Sequence, residues 1–480
     1  MWWRDAVLYQ VYVRSFADSN GDGIGDLAGL TARLDYLEWL GVDALWLNPT
    51  FPSPDADWGY DVSDYYGVHP DFGTLADLDR LVTEAVRRGI RVLLDLVPNH
   101  TSERHPWFRV EHRDWYVWAD EPTNWRAVFG GPAWAWDERE GRWYLHSFLP
   151  EMPDLNWHEP GVRAEFERIL RFWFDRGVAG FRIDVVHRTV KDLRLRDAAG
   201  RGRVQRFPPT DVPGTHELIR AWRRLADEYE PPRLLVGETY VLDVHEMATF
   251  YGADADELQL AFNFPFLHAS LRAAELRRIV ELTERALPEA AWPVWTLSNH
   301  DHVRFPTRIC DGDERRARCA LLALLALRGT PVLYYGDELG LEQGPTPEPP
   351  LDRARPSRDG CRTPMPWDER PPAVTWLPNG DLSRNVAAQL KDPDSVLRLC
   401  RDLIGLRREL AAAPYETLST GPGIWAWRRG GATVAVNLSA RPAHVRPVEG
   451  VVRVSTDRSR DGEHVSGRLR LEPWSGAVVG

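Results

Sequence analysis

A chain of 480 residues is longer than one hydrophobic core usually spans, so two or three domains are expected. Its 59 Lys and Arg stand against 71 Asp and Glu, and the resulting charge of −12 disfavours nucleic acid and anionic membrane surfaces as partners. The opening MWWRDAVLYQVYV lacks a basic, then long apolar, then small-residue leader, and no apolar run reaches the roughly eighteen residues of a membrane span. Cys310, Cys319, Cys361 and Cys400 have no metal-type spacing and are too few for a disulfide framework. The expectation is a cytoplasmic protein with free thiols.

Apolar strand-like runs alternate with amphipathic helical patterns, which predicts parallel βα units. The predicted strands are 6–16, 42–49, 90–100, 178–186, 233–239, 257–266, 292–301 and 331–340. Helices are predicted near 28–40, 74–88, 165–177, 215–229, 270–286, 314–327 and 394–410. Eight strands with about as many helices is the count for an α/β fold of the (β/α)8 TIM-barrel type. Between residues 101 and 160 periodicity fails, and that stretch is rich in Trp and Pro. A segment so long inside a compact domain should be functional or a subdomain of its own. Of the 22 Trp, many fall there, among them Trp107, Trp115, Trp125, Trp136 and Trp157. Such rings suit either sugar faces or packing. Past Pro414, short alternating runs (GIWAWRR, TVAVNLS, VRVSTD, RLRLEP) predict a small antiparallel β-domain. The predicted division is 1–100 with 161–411 as barrel, 101–160 as inserted subdomain and 412–480 as C-terminal β-domain.

Polar residues close the apolar strands at one end only: Asn99 and His100, Asp184, Glu238, and His300 with Asp301. In a barrel of this type the C-terminal strand ends carry the chemistry. GFRID (180–184) adds a pairing, because residues two apart share one face of a strand. Arg182 is therefore expected beside Asp184, holding that carboxylate ionised and oriented. By itself this describes a strand-end salt bridge equally well. DSNGDGIGD (18–26) sets oxygen donors at alternate positions with glycines between, a pattern suited to calcium. It is not an EF-hand loop, since Gly29 stands where position twelve needs Glu.

DLVPNH (95–100), GFRIDVVH (180–187), GETY (237–240) and LSNHD (297–301) resemble, in order and placement, the four signature regions of the α-amylase family of glycoside hydrolases. The resemblance spans essentially the whole chain. It implies that Asp184 is the nucleophile, Glu238 the general acid/base and Asp301 a third carboxylate gripping ring hydroxyls. It also implies that His100 and His300 contact the sugar under attack. DWGYDVSDY (57–65) and CRTPMPWD (361–368) resemble the α-glucosidase and oligo-1,6-glucosidase branch. That match implies that Asp57 binds hydroxyls of the non-reducing glucose, Tyr60 stacks on it and Arg362 closes over it. In the same branch the loop matching 18–26 binds a structural divalent cation, here Ca2+. Its ligands would be the side chains of Asp18, Asn20, Asp22 and Asp26 and the carbonyl of Ile24.

The activity implied is a retaining, exo-acting α-glucosidase of α-1,4 and/or α-1,6 specificity, without organic cofactor. Its partner would be a disaccharide or short oligosaccharide. The thiols and charge say nothing about whether it is a monomer or a homo-oligomer. A transglycosylase or sucrose isomerase would use the same residues while excluding water. A non-catalytic relative is disfavoured, since all three acids are present.

Overall fold

The computed structural model describes residues 1–197, 212–370, 372–410 and 413–480. The first half of the chain supplies β1 (Leu8–Val11), β2 (Ala44–Leu47) and β3 (Arg91–Leu96). An excursion follows with β4 (Trp118–Ala119), β5 (Trp134–Asp137) and β6 (Arg142–Leu145), an antiparallel sheet in the order β4-β6-β5. The chain then returns with β7 (Gly180–Ile183), β8 (Leu234–Gly237), β9 (Leu260–Ala261), β10 (Val294–Thr296) and β11 (Thr330–Tyr334). Those five join the first three in one parallel sheet of order β10-β11-β1-β2-β3-β7-β8-β9. A parallel bridge from Phe262 to Val294 joins its two ends into a barrel.

Period-two alternation decides which residues fill that barrel. Leu8, Ala44, Trp46, Leu93, Leu234, Val236, Leu260, Val294 and Val332 form a cluster inside it. Their neighbours Tyr9, Leu45, Leu94, Phe181, Ile183 and Leu235 belong to the larger core under the helices. With both faces buried, the strands read as unbroken apolar runs. That outer layer contains α1 (Leu27–Ala32), α2 (Leu34–Leu40), α3 (Leu75–Arg87), α4 (Pro160–Asp175), α5 (Val212–Asp227), α6 (Ala273–Ala286), α7 (Glu314–Ala326) and α8 (Val396–Leu410). Helix α3 shows the local logic. Thr74 and Asp77 make a reciprocal capping box, and Leu78, Leu81, Val82 and Ala85 are its buried stripe.

Three elements differ from the sequence reading. The strand predicted over 6–16 is only β1, because its apolar run continues into a buried helical turn, Val13–Phe16. The run predicted over 257–266 likewise holds the two residues of β9 and the buried turn Phe264–Leu267. The helix predicted over 28–40 is two helices, broken at Arg33, whose guanidinium lies 4.1 Å from the ring centre of Trp367. In the excursion, Trp107, Trp115, Trp125, Trp134 and Trp157 are buried, so most of its tryptophans pack the subdomain rather than await a ligand. The four cysteines are free and buried, and no helix among the described residues is long and apolar enough to cross a membrane.

The C-terminal strands are β12 (Glu416–Thr417), β13 (Ile424–Arg429), β14 (Ala432–Asn437), β15 (Ala443–Val445), β16 (Glu449–Ser455), β17 (His464–Ser466), β18 (Leu469–Leu471) and β19 (Ser475–Val479). Six of them make an antiparallel sheet in the order β12-β13-β14-β19-β16-β17, and β15 pairs with β18. The junction expected at 411–412 lies outside the described residues. Two buried arginines stitch this sheet and α8 to the barrel wall. Arg407 Nη1 donates to the carbonyls of Leu325 (3.1 Å) and Leu327 (2.6 Å), and its Nη2 to that of Gly329. Arg429 Nη1 donates to Leu327 (2.8 Å) and its Nη2 to Leu410 (2.7 Å). The Leu325, Leu327 and Leu410 carbonyls lie at the ends of α7 and α8, where helices lack internal donors and favour cations.

Arg407→Met keeps much of the volume but leaves the carbonyls buried without their donor. The expected cost is on the order of 1–3 kcal/mol, read as a lower thermal midpoint with the kinetic parameters of the folded fraction unchanged. An unchanged midpoint would show that the stitch is dispensable.

Candidate active site

Alternation along the strands turns a charged layer toward the barrel mouth. Leu93 faces the interior, so Asp95 does too, and the register pairs Asp95 with Arg182 on β7 and Arg182 with Val236 on β8. Asp184 and Glu238 continue the same parity one step past their strands. Arg182 joins all three acids. Its Nη1 donates to Asp95 Oδ1 and Asp184 Oδ1, each at 2.8 Å, and its Nη2 donates to Glu238 Oε2 at 2.6 Å. Glu238 Oε2 also accepts the Val185 N–H at 3.1 Å. Val185 reaches that position with a left-handed backbone, φ 34°.

One cation shared by three buried carboxylates changes the expected electrostatics. Burial pushes the Asp184 carboxyl well up, Arg182 pulls it back, and the charges of Glu238 and Asp95 raise it again. Arg182 therefore does not hold Asp184 ionised on its own, contrary to the expectation from the GFRID spacing. Asp95 is raised to about 6, by burial first, against the pull of Arg182 and a hydrogen bond from Trp46. Asp301 goes the other way. Burial raises it, but His300, Arg358, Arg362 and His302 together outweigh burial and hold it well below the ordinary range.

Asp184, Glu238 and Asp301 open on one cavity of about 390 Å3, with Asp57, Tyr60 and His100 in its wall. That size is usual for a small-molecule site. Tyr60 and His300 rings lie parallel, centres 5.4 Å apart. Gln10 Nε2 donates to His300 Nδ1 at 2.8 Å, so the proton sits on His300 Nε2, 2.6 Å from the Tyr60 hydroxyl and 3.2 Å from Asp301 Oδ2. The Tyr60 hydroxyl in turn donates to Asp95 Oδ2 at 3.1 Å. Asn99 Nδ2 donates to His100 Nδ1 at 3.0 Å, and His100 Nε2 donates to the Tyr60 carbonyl at 3.2 Å. Burial lowers His100 to about 4 and His300 well below its usual value, so both imidazoles are neutral at pH 7.

Arg362 is placed differently from the sequence reading. It is fully buried, donating from Nε to the His300 carbonyl at 2.9 Å and from Nη2 to Asp301 Oδ1 at 3.2 Å. It therefore supports Asp301 from beneath instead of closing over the cavity. Arg355 and Arg358 both line the wall, and Arg358 is ion-paired with Asp57, with Asp301 at 3.1 Å and with Asp352 at 2.7 Å. Its guanidinium also lies 5.3 Å from the ring centre of Phe129. Burial alone would lower its pKa, and the three carboxylates raise it well above the usual value. Asp57, raised by burial and pulled back by Arg358, is the other half of this barrier.

Sequence reasoning missed Arg358, Phe129 and Phe148 in the wall, among others, and Asp95 on the Arg182 fork. Arg358 lies four residues before Arg362, just outside the quoted motif. Asp95 opens the first motif, and strand alternation turns it inward, but only the β3–β7 register sets it beside Arg182. Phe129 and Phe148 come from the aperiodic excursion, which gave no signal for individual residues.

The 18–26 loop stands apart, beside a separate groove that includes Trp367. Asp18 Oδ1 accepts the N–H groups of Asn20 (3.0 Å) and Gly21 (2.7 Å), and Asp18 Oδ2 that of Gly23 (2.8 Å). Asp22 Oδ1 accepts the Ile24 N–H at 2.8 Å. Asp26 caps α1 through Gly29 N–H at 2.6 Å and binds Ser19. The all-oxygen donor set suits a hard cation, although Asp18 Oδ1 and Asp26 Oδ2 each already accept two hydrogen bonds. The three acids are not drawn together, however. Among the described residues, the acid and histidine group whose ligand atoms lie within 4.8 Å is Asp55, His69 and Asp71, and Arg14 already bridges its two acids.

Residues 10–415 match the family model described as alpha amylase, catalytic domain. A protein named "Probable alpha-glucosidase" from Rhizobium meliloti is 41% identical, over 87% of this chain and 85% of its own length. The oligo-1,6-glucosidase of Parageobacillus thermoglucosidasius is 34% identical, over 100% and 98%. Among solved structures, a mutant of the trehalulose synthase MutB superposes with a TM-score of 0.91 at 31% identity, covering 100% of both chains. With the closed parallel barrel and the carboxylates at its mouth, these matches mean that the chain belongs to the α-amylase family.

Proposed function

We propose that this protein is a retaining, exo-acting α-glucosidase that removes the non-reducing-end glucose of short α-glucosides: malto- and isomalto-oligosaccharides and sucrose. One observation carries the reading. The Arg182 fork binds Asp184 and Glu238 together inside a cavity barred by the Asp57–Arg358 pair. A single guanidinium between two carboxyls suits the closer spacing, about 5–5.5 Å, that retention needs rather than the 6.5–9.5 Å of inversion. The barrier stops a sugar chain from running through, which favours end-on binding. The names carried by the relatives, α-glucosidase and oligo-1,6-glucosidase, agree with that substrate class.

In the reaction, Asp57, His100, Asp301 and Arg358 hold the hydroxyls of the terminal glucose against Tyr60. Glu238 gives its proton to the glycosidic oxygen as Asp184 attacks the anomeric carbon, and the C–O bond to the leaving group breaks. Positive charge developing on the ring favours ionised Asp184 at that moment, which burial otherwise resists. A β-linked glucosyl ester results. Glu238 then takes a proton from water, whose oxygen displaces Asp184 and releases α-glucose. The apolar part of the wall, with Phe129, Phe148, Met152 and Val185, also favours a second fate. There a sugar hydroxyl replaces water, giving transglycosylation or sucrose isomerisation. The trehalulose synthase likeness supports keeping that reading. Four buried free thiols suit a reducing, cytoplasmic setting. The 18–26 loop is read as a structural Ca2+ site formed by Asp18, Asn20, Asp22, Asp26 and the Ile24 carbonyl.

Hydrolysis of maltose or isomaltose followed by NMR should show α-glucose first, and Asp184→Asn should lose on the order of 1,000-fold or more in kcat while staying folded. Initial β-glucose would sink the retaining mechanism. Acid pH should slow the enzyme as the raised Asp184 carboxyl takes up a proton. Since the Asp95 charge contributes to that rise and competes for Arg182, Asp95→Asn should move the acid limb of kcat/KM to lower pH. A limb that stays put or moves up contradicts the shared-cation account. For the metal, Ca2+ should raise the thermal midpoint of chelator-treated protein, by about 2.7 kcal/mol of stabilisation at 100 Kd. Asp22→Ala should remove that rise, and a midpoint indifferent to Ca2+ would dismiss the site.

A further inference from the structure

Asp57 and Tyr60 stand on one short loop, whose backbone N–H groups at Asp55, Ala56 and Asp57 are held by side chains rather than by the backbone. We propose that Asp61, a buried carboxylate outside the cavity wall, is the positioning residue that fixes this loop and so aims Asp57 and Tyr60 at the sugar. The inference rests on reading that wall as the place of the non-reducing glucose.

Asp61 is completely buried, at 0% exposure. Its Oδ1 accepts the Asp57 N–H at 2.9 Å and the Ser53 hydroxyl at 2.8 Å, and its Oδ2 accepts the Ala56 N–H at 3.0 Å. Ser53 Oγ in turn accepts the Asp55 N–H at 2.9 Å. Three consecutive backbone N–H groups thus converge on one carboxylate, two directly and one through a hydroxyl. Backbone N–H groups turned to one point form a nest for an anion, and an anion from the same chain fills this one. The loop has a conformation that needs such a tether. Asp55 (φ 62°) and Trp58 (φ 51°) both occupy the left-handed region although neither is glycine. Such residues persist only where their surroundings over-determine them.

The consequence is directional. Asp57 points its carboxylate at Arg358 because its own N–H is pinned to Asp61. Tyr60, adjacent to Asp61 in the chain, has its N–H on the Asp57 carbonyl at 3.1 Å and its ring against His300. Moving Asp61 would turn both walls at once. The effect should fall on the glucose half of any substrate and leave its other half alone.

Asp61→Asn keeps the shape but sets an NH2 group against backbone donors. The inhibition constant of free glucose and the KM values for maltose and p-nitrophenyl α-D-glucoside should all rise by a common factor, about tenfold. A purely structural role would lower the thermal midpoint and the active fraction while leaving the glucose constant alone. Ser53→Ala, which leaves the buried charge in place, should raise the same three constants by a smaller common factor, and it decides the question if Asp61→Asn does not fold. Glucose constants within twofold of wild type in the folded variants would overturn the role of Asp61 while leaving the glucosidase reading intact. A wild type that neither cleaves these substrates nor binds glucose would overturn both.

Discussion

The organisation of the mouth depends on Arg182, one guanidinium shared by three buried carboxylates. Its position follows from strand parity, since residue 182 faces inward between outward Phe181 and Ile183. Buried charges are stable only when paired, and a pair that loses its partner is costly. Asp95, Asp184 and Glu238 are therefore tied to one another through Arg182, and a change to any one is felt by the others. Burial first, and then the neighbouring acids that share this one cation, raise Asp184 and Asp95 above the ordinary carboxylate range.

A second cation, Arg358, organises the far wall by the same principle. It is shared among Asp57, Asp301 and Asp352, and the last holds it from behind. Asp352 accepts the Arg358 backbone N–H at 2.7 Å and its Nε at 2.8 Å, so the side chain leaves the backbone in a set direction. Arg362 then braces Asp301 from below. The two clusters differ in sign of effect. Burial and the neighbouring acids raise Asp184, whereas Arg358 and Arg362 help bring Asp301 down despite its burial.

How much of this the sequence disclosed depended on how local the physics was. Strand alternation is local, so the barrel, the inward turn of Arg182 and Asp184, and the strand-end acids were legible. Wherever a buried helical turn continued an apolar strand, as at Val13–Phe16 and Phe264–Leu267, the run looked longer than its pairing. The sharing of Arg182 was not legible, because Asp95 and Glu238 reach it from other strands. Arg358 and Arg362 lie four residues apart in one loop, and only the fold decides which one meets the cavity. The tryptophans of the excursion were ambiguous for a related reason. A ring meant for packing and a ring meant for a sugar look alike until the three-stranded sheet supplies a small core of its own.

Backbone strain sits where these charge clusters meet. Val185 is β-branched and left-handed, a combination sterically disfavoured by roughly 1–3 kcal/mol. What it gains is an N–H aimed at Glu238 Oε2, beside the Arg182 Nη2 that holds the same oxygen. Asp55 and Trp58 are strained in the same way around the Asp61 carboxylate. In both places a buried anion collects backbone N–H groups that an ordinary conformation would direct elsewhere. Charge thus stabilises the unusual backbone, and the unusual backbone in turn supplies donors to the charge. Neither half holds without the other. The barrel's regular strands and capped helices, which carry no such conflict, provide the rigid frame that lets both loops stay strained.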